Sequence, residues 1–289
     1  MATAHVNGIT VTYEDEREDE DEAEDGGGHG GRHGGRHGAG APLPLLLVHG
    51  HPFDRSMWAP QVATIARSGR RVIAPDLRGY GASEVVPGIT PLGTFAQDLA
   101  ALLDHLGVAR VVLGGLSMGG QIVMEFQRRF PERVAALVLA DTFPGADTKD
   151  GRKAREAMAE RLLAEGMAGY ADEVLDRMIA PYNVTGRPEV AAHVLRMMRG
   201  TSPEGAAAAL RGRALRPDYG AVLAAVRVPT LIVVGRDDVF TPVAEAEAMH
   251  RAVAGSRLAV VEGAGHLPNL ERSEVFEGVL RDFLAGLDE

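Results

Sequence analysis

The chain reads Val111-Val112-Leu113-Gly114-Gly115-Leu116-Ser117-Met118-Gly119 at its most informative stretch. The apolar residues before Gly115 predict a buried strand, and the stretch Gln121 to Phe130 that follows predicts a helix. Between them, the pattern G-x-S-x-G predicts a sharp strand-to-helix turn with Ser117 at its tip. Glycine on either side removes side chains that would collide with the neighbouring strand and helix. Ser117 is therefore predicted at a helix N-terminus, where free N–H groups and the helix dipole favour negative charge.

On both sides of this turn, short apolar runs alternate with amphipathic stretches of helical length. This alternation is typical of βαβ units on a mostly parallel, doubly wound sheet in an α/β fold. The predicted strands are Leu45 to His49, Val72 to Pro75, Val111 to Gly114, Ala135 to Ala140, Thr230 to Val234 and Leu258 to Val261. The predicted helices are Met57 to Ala66, Thr94 to Leu106, Gly119 to Phe130, Val243 to Ala254 and Ser273 to Leu284.

No strand is predicted between residues 143 and 216, and this gap is too long for a loop. Helical patterns occur within it at Lys153 to Glu165, Ala171 to Ile179, Glu189 to Arg199 and Pro203 to Leu215. We therefore predict a helical lid, residues 143–216, inserted between two parts of a core, residues 1–142 and 217–289. Five arginines of this lid could recognise a carboxylate, but such side chains are expected to face water: Arg152, Arg155, Arg161, Arg177 and Arg196.

The N-terminal part begins with a predicted hairpin, His5 to Tyr13, that turns at Asn7-Gly8. Residues 14–41 then hold ten acidic residues and three arginines, which account for −7 of the net charge of −10. Their composition cannot bury enough surface to fold, so we predict a disordered insertion. Its histidines, His29, His33 and His37, are predicted to do no more than loosely capture a transition metal. The rest of the chain is nearly neutral, so nucleic acid is not expected as a partner.

Cysteine is absent from the 289 residues, which excludes disulfides, thiolate metal sites and a thiol nucleophile. No apolar run approaches the roughly 20 residues of a membrane-spanning helix, so no membrane partner is expected. The N-terminus lacks the pattern of a secretory signal, and a cytoplasmic location is therefore expected. Composition makes no prediction of the oligomeric state.

A serine hydroxyl needs a base, and His266 is the best candidate among the ten histidines. It follows the last predicted strand in Glu262-Gly263-Ala264-Gly265-His266, at a carboxyl end where open α/β sheets gather their chemistry. An acid must orient the imidazole, and three aspartates follow strands that end at this edge. Asp238 is favoured, while Asp237 beside it and Asp141 after Ala140 stay open as alternatives.

A tetrahedral intermediate also needs two hydrogen-bond donors for its oxygen. Met118, which follows the predicted nucleophile, can supply one backbone N–H. The other is predicted to come from His49-Gly50-His51-Pro52, the loop after the first core strand. His51 would donate, since Pro52 has no N–H. The side chains of His49 and His51 are expected to be structural.

Five motifs together resemble the α/β-hydrolase superfamily: His49 to Pro52, Pro75 to Ser83, Gly115 to Gly120, Gly235 to Pro242 and Gly263 to His266. The resemblance extends from about His5 to Leu287, and the chain is similar to the group of 3-oxoadipate enol-lactonases, small carboxylesterases and cofactor-free haloperoxidases. It implies an α/β-hydrolase fold with an inserted lid, and it maps the family's acid onto Asp238. Relatives that cleave haloalkanes or epoxides carry aspartate at the position of Ser117, which disfavours those reactions. The insertion after Tyr13 is outside the family pattern.

These features predict hydrolysis of a small-molecule ester or lactone through Ser117, His266 and Asp238, with oxyanion donors at His51 and Met118. No metal or organic cofactor is required for this chemistry. Alternatives that use the same residues are a cofactor-free perhydrolase, a carbon–carbon bond hydrolase and a non-catalytic ligand-binding protein. The lid would decide the substrate.

Overall fold

The computed structural model describes residues 1–17 and 42–288. Its strands are β1 (Ala2–Val6), β2 (Ile9–Glu16), β3 (Leu45–Val48), β4 (Val72–Pro75), β5 (Val111–Leu116), β6 (Val134–Ala140), β7 (Thr230–Gly235) and β8 (Arg257–Val261). Its helices are α1 (Ala59–Ala66), α2 (Leu92–His105), α3 (Met118–Arg129), α4 (Lys149–Glu165), α5 (Ala168–Met178), α6 (Pro181–Gly186), α7 (Pro188–Gly200), α8 (Pro203–Ala214), α9 (Gly220–Ala225), α10 (Val243–Ala252), α11 (Pro268–Glu271) and α12 (Ser273–Ala285). Within these two described ranges, no helix combines the length and the apolarity that crossing a bilayer would require.

All eight strands belong to one sheet, in the order β1-β2-β4-β3-β5-β6-β7-β8. The hairpin β1–β2 is antiparallel and joins β4 in antiparallel fashion, whereas β3 to β8 pair in parallel. The predicted mostly parallel sheet is therefore confirmed. The chain places β4 on one side of β3 and β5 on the other, and at such a switch point a crevice opens beyond the carboxyl ends of the strands.

Helices cover both faces of the sheet. Leu46 and Val48 of β3 pack into the cluster on the side of α2, α3 and α10. Leu45 and Leu47 of the same strand pack into the cluster on the side of α1 and α12. Because alternate side chains point to opposite buried faces, a strand of this kind needs an unbroken apolar run, as the sequence has.

The predicted N-terminal hairpin is present, but both of its strands are longer than expected, and β1 begins at Ala2 instead of His5. Asn7 and Gly8 have φ values of 47° and 77°, as a type I′ turn requires. Strand β2 continues to Glu16, so the predicted start of the insertion at residue 14 is wrong. The remainder of that predicted insertion, from residue 18 to residue 41 with its three histidines, lies outside the described residues.

The extra residues of β2 pair with β4, and two of their carboxylates form ion pairs. Glu14 Oε1 lies 3.2 Å from Arg55 Nε, and Asp15 Oδ2 lies 2.7 Å from Arg71 Nη2. Each carboxylate has a cationic partner from the neighbouring part of the fold, which offsets the repulsion expected along an acidic strand.

Between β6 and β7 the chain forms α4 to α9, and the four helices predicted for residues 143–216 correspond to α4, α5, α7 and α8. The short helices α6, α9 and α11 were not predicted. Each has six residues or fewer, too few to display a helical period. The division into a core and a lid stays a prediction.

Helix α8 packs against the core through glycine, and this contact predicts a large effect of one methyl group. A Cβ atom at Gly212 would lie 2.7 Å from Pro91 N and closer still to the carbonyl of Thr90. We expect Gly212→Ala to lower the free energy of unfolding by roughly 1–3 kcal/mol, the usual cost of overpacking. Urea denaturation measures this change.

Gly278 of α12 is the matched control, because a Cβ atom there meets no atom within 4 Å. Gly278→Ala is expected to raise the free energy of unfolding by about 0.5–1 kcal/mol, since alanine is the better helix former. Equal changes of the same sign in the two variants would contradict the packing described for α8.

Candidate active site

Ser117 occupies the sharp turn between β5 and α3. Its φ is 58° and its ψ is −118°, a backbone conformation that residues with a side chain rarely adopt. The turn is pressed against β3, since a Cβ atom at Gly119 would lie 2.7 Å from the carbonyl oxygen of His49. A Cβ atom at Gly115 would lie 2.5 Å from the carbonyl of Gly119. Glycine at both positions therefore lets the turn hold the hydroxyl at the edge of the sheet.

The predicted base and acid meet in the loops that follow β7 and β8. His266 Nδ1 donates a hydrogen bond of 2.7 Å to Asp238 Oδ2. Both side chains are buried, with exposed fractions of 3% and 0%. Asp237, the adjacent alternative, is exposed and accepts a hydrogen bond from the Tyr182 hydroxyl. Of this neighbouring pair, only Asp238 contacts the histidine.

Asp238 is held in its ionised form. Burial opposes ionisation, but the charge of His266 and hydrogen bonds from His266, Thr241 and the Phe240 N–H outweigh it, so the pKa of Asp238 is lowered. An ionised carboxylate at this position can hold the Nδ1–H tautomer of His266. The other ring nitrogen, Nε2, is then free to accept a proton.

Asp141, the third candidate aspartate, lies close to Asp238 and His266, but its pKa is shifted in the opposite direction from that of Asp238. One carboxylate oxygen of Asp141, one of Asp238 and one ring nitrogen of His266 all lie within 4.8 Å of one another. Burial and the neighbouring charge of Asp238 raise the pKa of Asp141 well above its ordinary value. One oxygen accepts a 2.8 Å hydrogen bond from the Gly235 N–H, and the other is buried without a partner. The raised pKa disfavours the ionised form of Asp141, which makes it a weaker counter-charge for imidazolium than Asp238.

The two predicted oxyanion donors flank the serine. Met118 is the first residue of α3, where a backbone N–H has no acceptor within the helix. The loop with His51 runs close by, since a Cβ atom at Gly50 would lie 3.2 Å from Ser117 Cβ. Among the described residues, no acceptor takes the His51 N–H. Both N–H groups thus belong to segments next to Ser117 and have no acceptor among the described residues.

The rings of His49 and His51 have structural partners, as expected. The Leu77 N–H donates to His49 Nε2 at 3.0 Å, so Nδ1 carries the proton and donates to the Gly50 carbonyl at 2.8 Å. His51 Nδ1 lies 2.8 Å from the Tyr80 hydroxyl. Burial, followed by the charges of two arginines, lowers the pKa of His51 well below its usual range. Both rings are neutral and brace the loop.

A cavity of about 260 Å³ lies beside these groups and is lined by Ser117, Asp141 and His266 on the core side. Among the described residues, the Ser117 hydroxyl and the His266 ring both face the cavity without a hydrogen bond between them. Catalytic hydrogen bonds of this kind often tighten only when the substrate binds. The opposite wall comes from the predicted lid, with Arg155, Tyr170, Met178, Leu210 and Arg213. A space of this size suits a small substrate.

The arginines of the lid differ from expectation at this wall. Arg155, expected to face water, lines the cavity, whereas Arg161 is paired with two glutamates at the surface. Arg213 was not considered from the sequence, yet it also lines the cavity. One signal was available: it lies on the helix face of Ala206 and Leu210, so a cation interrupts an otherwise apolar stripe.

Comparison with known proteins shows which families and structures this chain resembles. Residues 44–273 match the family model described as alpha/beta hydrolase fold. The 3-oxoadipate enol-lactonase 1 of Acinetobacter baylyi is 29% identical over 81% of this chain and 85% of its own length. The 2-hydroxy-6-oxononadienedioate/2-hydroxy-6-oxononatrienedioate hydrolase of Burkholderia vietnamiensis is 31% identical over 83% of this chain and 86% of its own. A solved structure of a thermophilic esterase from Thermogutta terrifontis, malate bound, has a TM-score of 0.88 at 36% identity and covers 100% of this chain and 99% of that one.

Proposed function

The chain belongs to the alpha/beta hydrolase fold family, and on that premise we propose that it is a serine hydrolase of a small carboxylic ester or lactone. The resemblance drawn from the sequence motifs is confirmed by the family match and by the lactonase and esterase relatives. The observation that carries the proposal is the 2.7 Å hydrogen bond from His266 to Asp238 beside the cavity that Ser117 lines.

In the acylation step, Ser117 Oγ attacks the carbonyl carbon of the substrate while His266 Nε2 takes the hydroxyl proton. Asp238 stabilises the imidazolium that forms. The carbonyl oxygen becomes an oxyanion and accepts hydrogen bonds from the N–H groups of His51 and Met118. The bond to the leaving oxygen then breaks, His266 returns the proton to that oxygen, and an acyl ester on Ser117 remains.

In the deacylation step, a water molecule replaces the departed alcohol, or attacks beside the tethered hydroxyl of an opened lactone. His266 removes its proton, the same two N–H groups hold the second oxyanion, and Ser117 Oγ leaves with the proton from His266. The products are a carboxylic acid and an alcohol, or an opened hydroxy or oxo acid, and the enzyme returns to its starting state.

We further propose that residues 143–216 act as the lid that selects the substrate. Helix α4 contributes Arg155, α5 contributes Tyr170 and α8 contributes Leu210 to the wall opposite Ser117. Shape and charge on this wall therefore determine which acyl or alcohol group fits.

Carbon–carbon bond hydrolysis is a second candidate, favoured by the 31% identical Burkholderia relative. The same serine, histidine and aspartate would serve it. Pro52 in the oxyanion loop, where such enzymes usually have more glycine, weighs against it. Turnover of a 2-hydroxy-6-oxo dienoate, with no turnover of simple esters and lactones, would favour this candidate over the first.

A fluorophosphonate probe tests the proposed function directly, because it labels only a serine that a base has activated. We expect one label per chain, located on the peptide with Ser117 by mass spectrometry, together with hydrolysis of p-nitrophenyl acetate. Ser68→Ala is the matched control, since Ser68 is an exposed serine after α1, and it should be labelled as fully as the original protein. An unlabelled native protein, or equal labelling of Ser117→Ala, would show that the nucleophile is wrongly assigned.

A further inference from the structure

Arg213 is a cation in the cavity whose guanidinium pairs with no carboxylate among the described residues. It is partly exposed and lines the cavity together with Ser117 and His266. Its Nε donates a 2.7 Å hydrogen bond to Gln121 Oε1, a neutral acceptor. Among the described residues, no salt bridge includes Arg213 and no acceptor takes its terminal nitrogens. The terminal nitrogens of the Arg213 guanidinium are therefore available to bind an anion.

The charges around Arg213 increase its need for an anion. Arg155 also lines the cavity and Arg216 lies nearby, yet both pair with the single carboxylate of Asp147, at 2.5 and 2.9 Å. The Asp147 carboxylate is thus already paired with two guanidinium groups, and Arg213 is a third cation that pairs with no carboxylate in the described part of the chain. On the opposite wall, burial and Asp238 raise the pKa of Asp141, which makes it a weak source of negative charge for this cluster. The lid side of the cavity is consequently positive.

The pKa of Arg213 agrees with this shortage of negative charge around the guanidinium. Burial, followed by the charges of Arg155 and Arg216, lowers the pKa of the Arg213 guanidinium well below its ordinary value. Arginine nevertheless stays protonated in proteins. The lowered pKa therefore reflects the cost of a cation without a counter-charge, and a bound anion would offset that cost.

The backbone that carries Arg213 is held in place before any ligand arrives. Gly205 and Gly212 of α8 pack closely against the main chain at Gly79 and Thr90, and the Thr90 N–H donates a 2.9 Å hydrogen bond to the Ala208 carbonyl. Helix α8 is thus fastened to the core at two points seven residues apart. A guanidinium on a fixed helix loses less entropy when it binds an anion.

We infer that the substrate carries a carboxylate in addition to the reacting carbonyl, and that the terminal nitrogens of Arg213 bind it across the cavity from Ser117. The inference rests on the proposed function for the reacting group, and it narrows the substrate class to half-esters of dicarboxylic acids or lactones with a free acid group. A planar guanidinium fork matches the two oxygens of a carboxylate.

Two esters with the same leaving group test the inference. Mono-p-nitrophenyl glutarate ends in a carboxylate, and p-nitrophenyl 5-oxohexanoate has a methyl ketone of similar shape there. With the spontaneous rate subtracted, we expect kcat/KM of the native protein to favour the glutarate ester by roughly 10-fold or more, as for a charge-assisted hydrogen-bond pair. In Arg213→Gln this preference should fall to about one.

Arg211→Gln is the matched control, because Arg211 lies two residues away on α8 but pairs with Glu156 and Glu160 instead of lining the cavity. It should keep the preference of the native protein. A native protein that hydrolyses both esters with equal kcat/KM would overturn the inference while leaving the proposed function intact, whatever the folding of either variant.

A binding measurement separates the inference from the chemistry. Glutarate should bind the Ser117→Ala protein in calorimetry, and the double variant Ser117→Ala/Arg213→Gln should bind it roughly 10-fold more weakly or worse. Binding that depends on Arg213, together with a native protein that hydrolyses neither esters nor lactones, would uphold the anion site and refute the proposed function. Glutarate affinity that is equal in the two proteins would refute the anion site.

Discussion

Replacing Ser117 with alanine is expected to lower kcat for p-nitrophenyl acetate by ~10³-fold or more, because no acyl-enzyme can then form. The remaining rate would come from substrate binding and the two N–H donors, which the substitution leaves in place. KM should change little, since the hydroxyl contributes mainly to the transition state. Steady-state kinetics with active-site titration measures both constants.

The fold should tolerate this change. Alanine adopts the 58° φ of the turn no more easily than serine, and the lost hydroxyl leaves only a small space at the cavity wall. Ser117→Ala should therefore unfold within about 0.5 kcal/mol of the native protein, as measured in urea. A variant that is folded and still hydrolyses the ester at a third of the native rate would rule out Ser117 as the nucleophile.

Asp238→Asn is the second substitution with a large expected effect, a loss of roughly 10³- to 10⁴-fold in kcat. Asp238 Oδ1 accepts from the Phe240 N–H at 2.8 Å, so an asparagine would keep its oxygen there and turn its NH₂ group toward His266. The ring would then have to accept at Nδ1 and carry its proton on Nε2. A proton on Nε2 prevents His266 from accepting the proton of Ser117.

Asp141→Asn is the matched control for this result. Burial and Asp238 raise the pKa of the Asp141 carboxyl, which favours its neutral form, and an asparagine is also neutral and preserves the hydrogen bond from the Gly235 N–H. We expect this variant to retain about a third or more of the native kcat, well within the effect of an ordinary substitution beside a site. Losses of equal size in the two variants would identify Asp141 as a second essential acid.

Much of the fold could be predicted from local patterns. The strands are apolar runs bounded by turn residues, and the helices repeat their apolar positions every three or four residues, so short windows of sequence suffice to find them. Asn7-Gly8 and the Gly115 to Gly119 motif are local as well, because each pattern encodes the backbone angles of its own turn. For that reason the hairpin and the turn at Ser117 lie where the sequence predicts them.

Other features depend on partners far away in the chain. Strand β2 continues to Glu16 by pairing with β4, and Arg55 and Arg71 approach its carboxylates. No local pattern contains those contacts. Helix α6 has only six residues. The side-chain amide of its buried Asn183 donates to Glu271, at the end of α11, and to the Gly263 carbonyl in the loop before His266. Such an element gains its stability from tertiary contacts rather than from its own propensity.

By itself, the sequence determined the alternation of the core strands and the longer helices, the turn that presents Ser117, and the edge of the sheet where the chemistry gathers. It left three aspartates open for one histidine and did not single out Arg213. Only the tertiary structure decided that Asp238 contacts His266, that Asp237 faces solvent and that Arg213 faces the cavity. The reason is physical: backbone conformation follows from neighbours along the chain, whereas burial, charge pairing and the state of a carboxyl follow from neighbours in space.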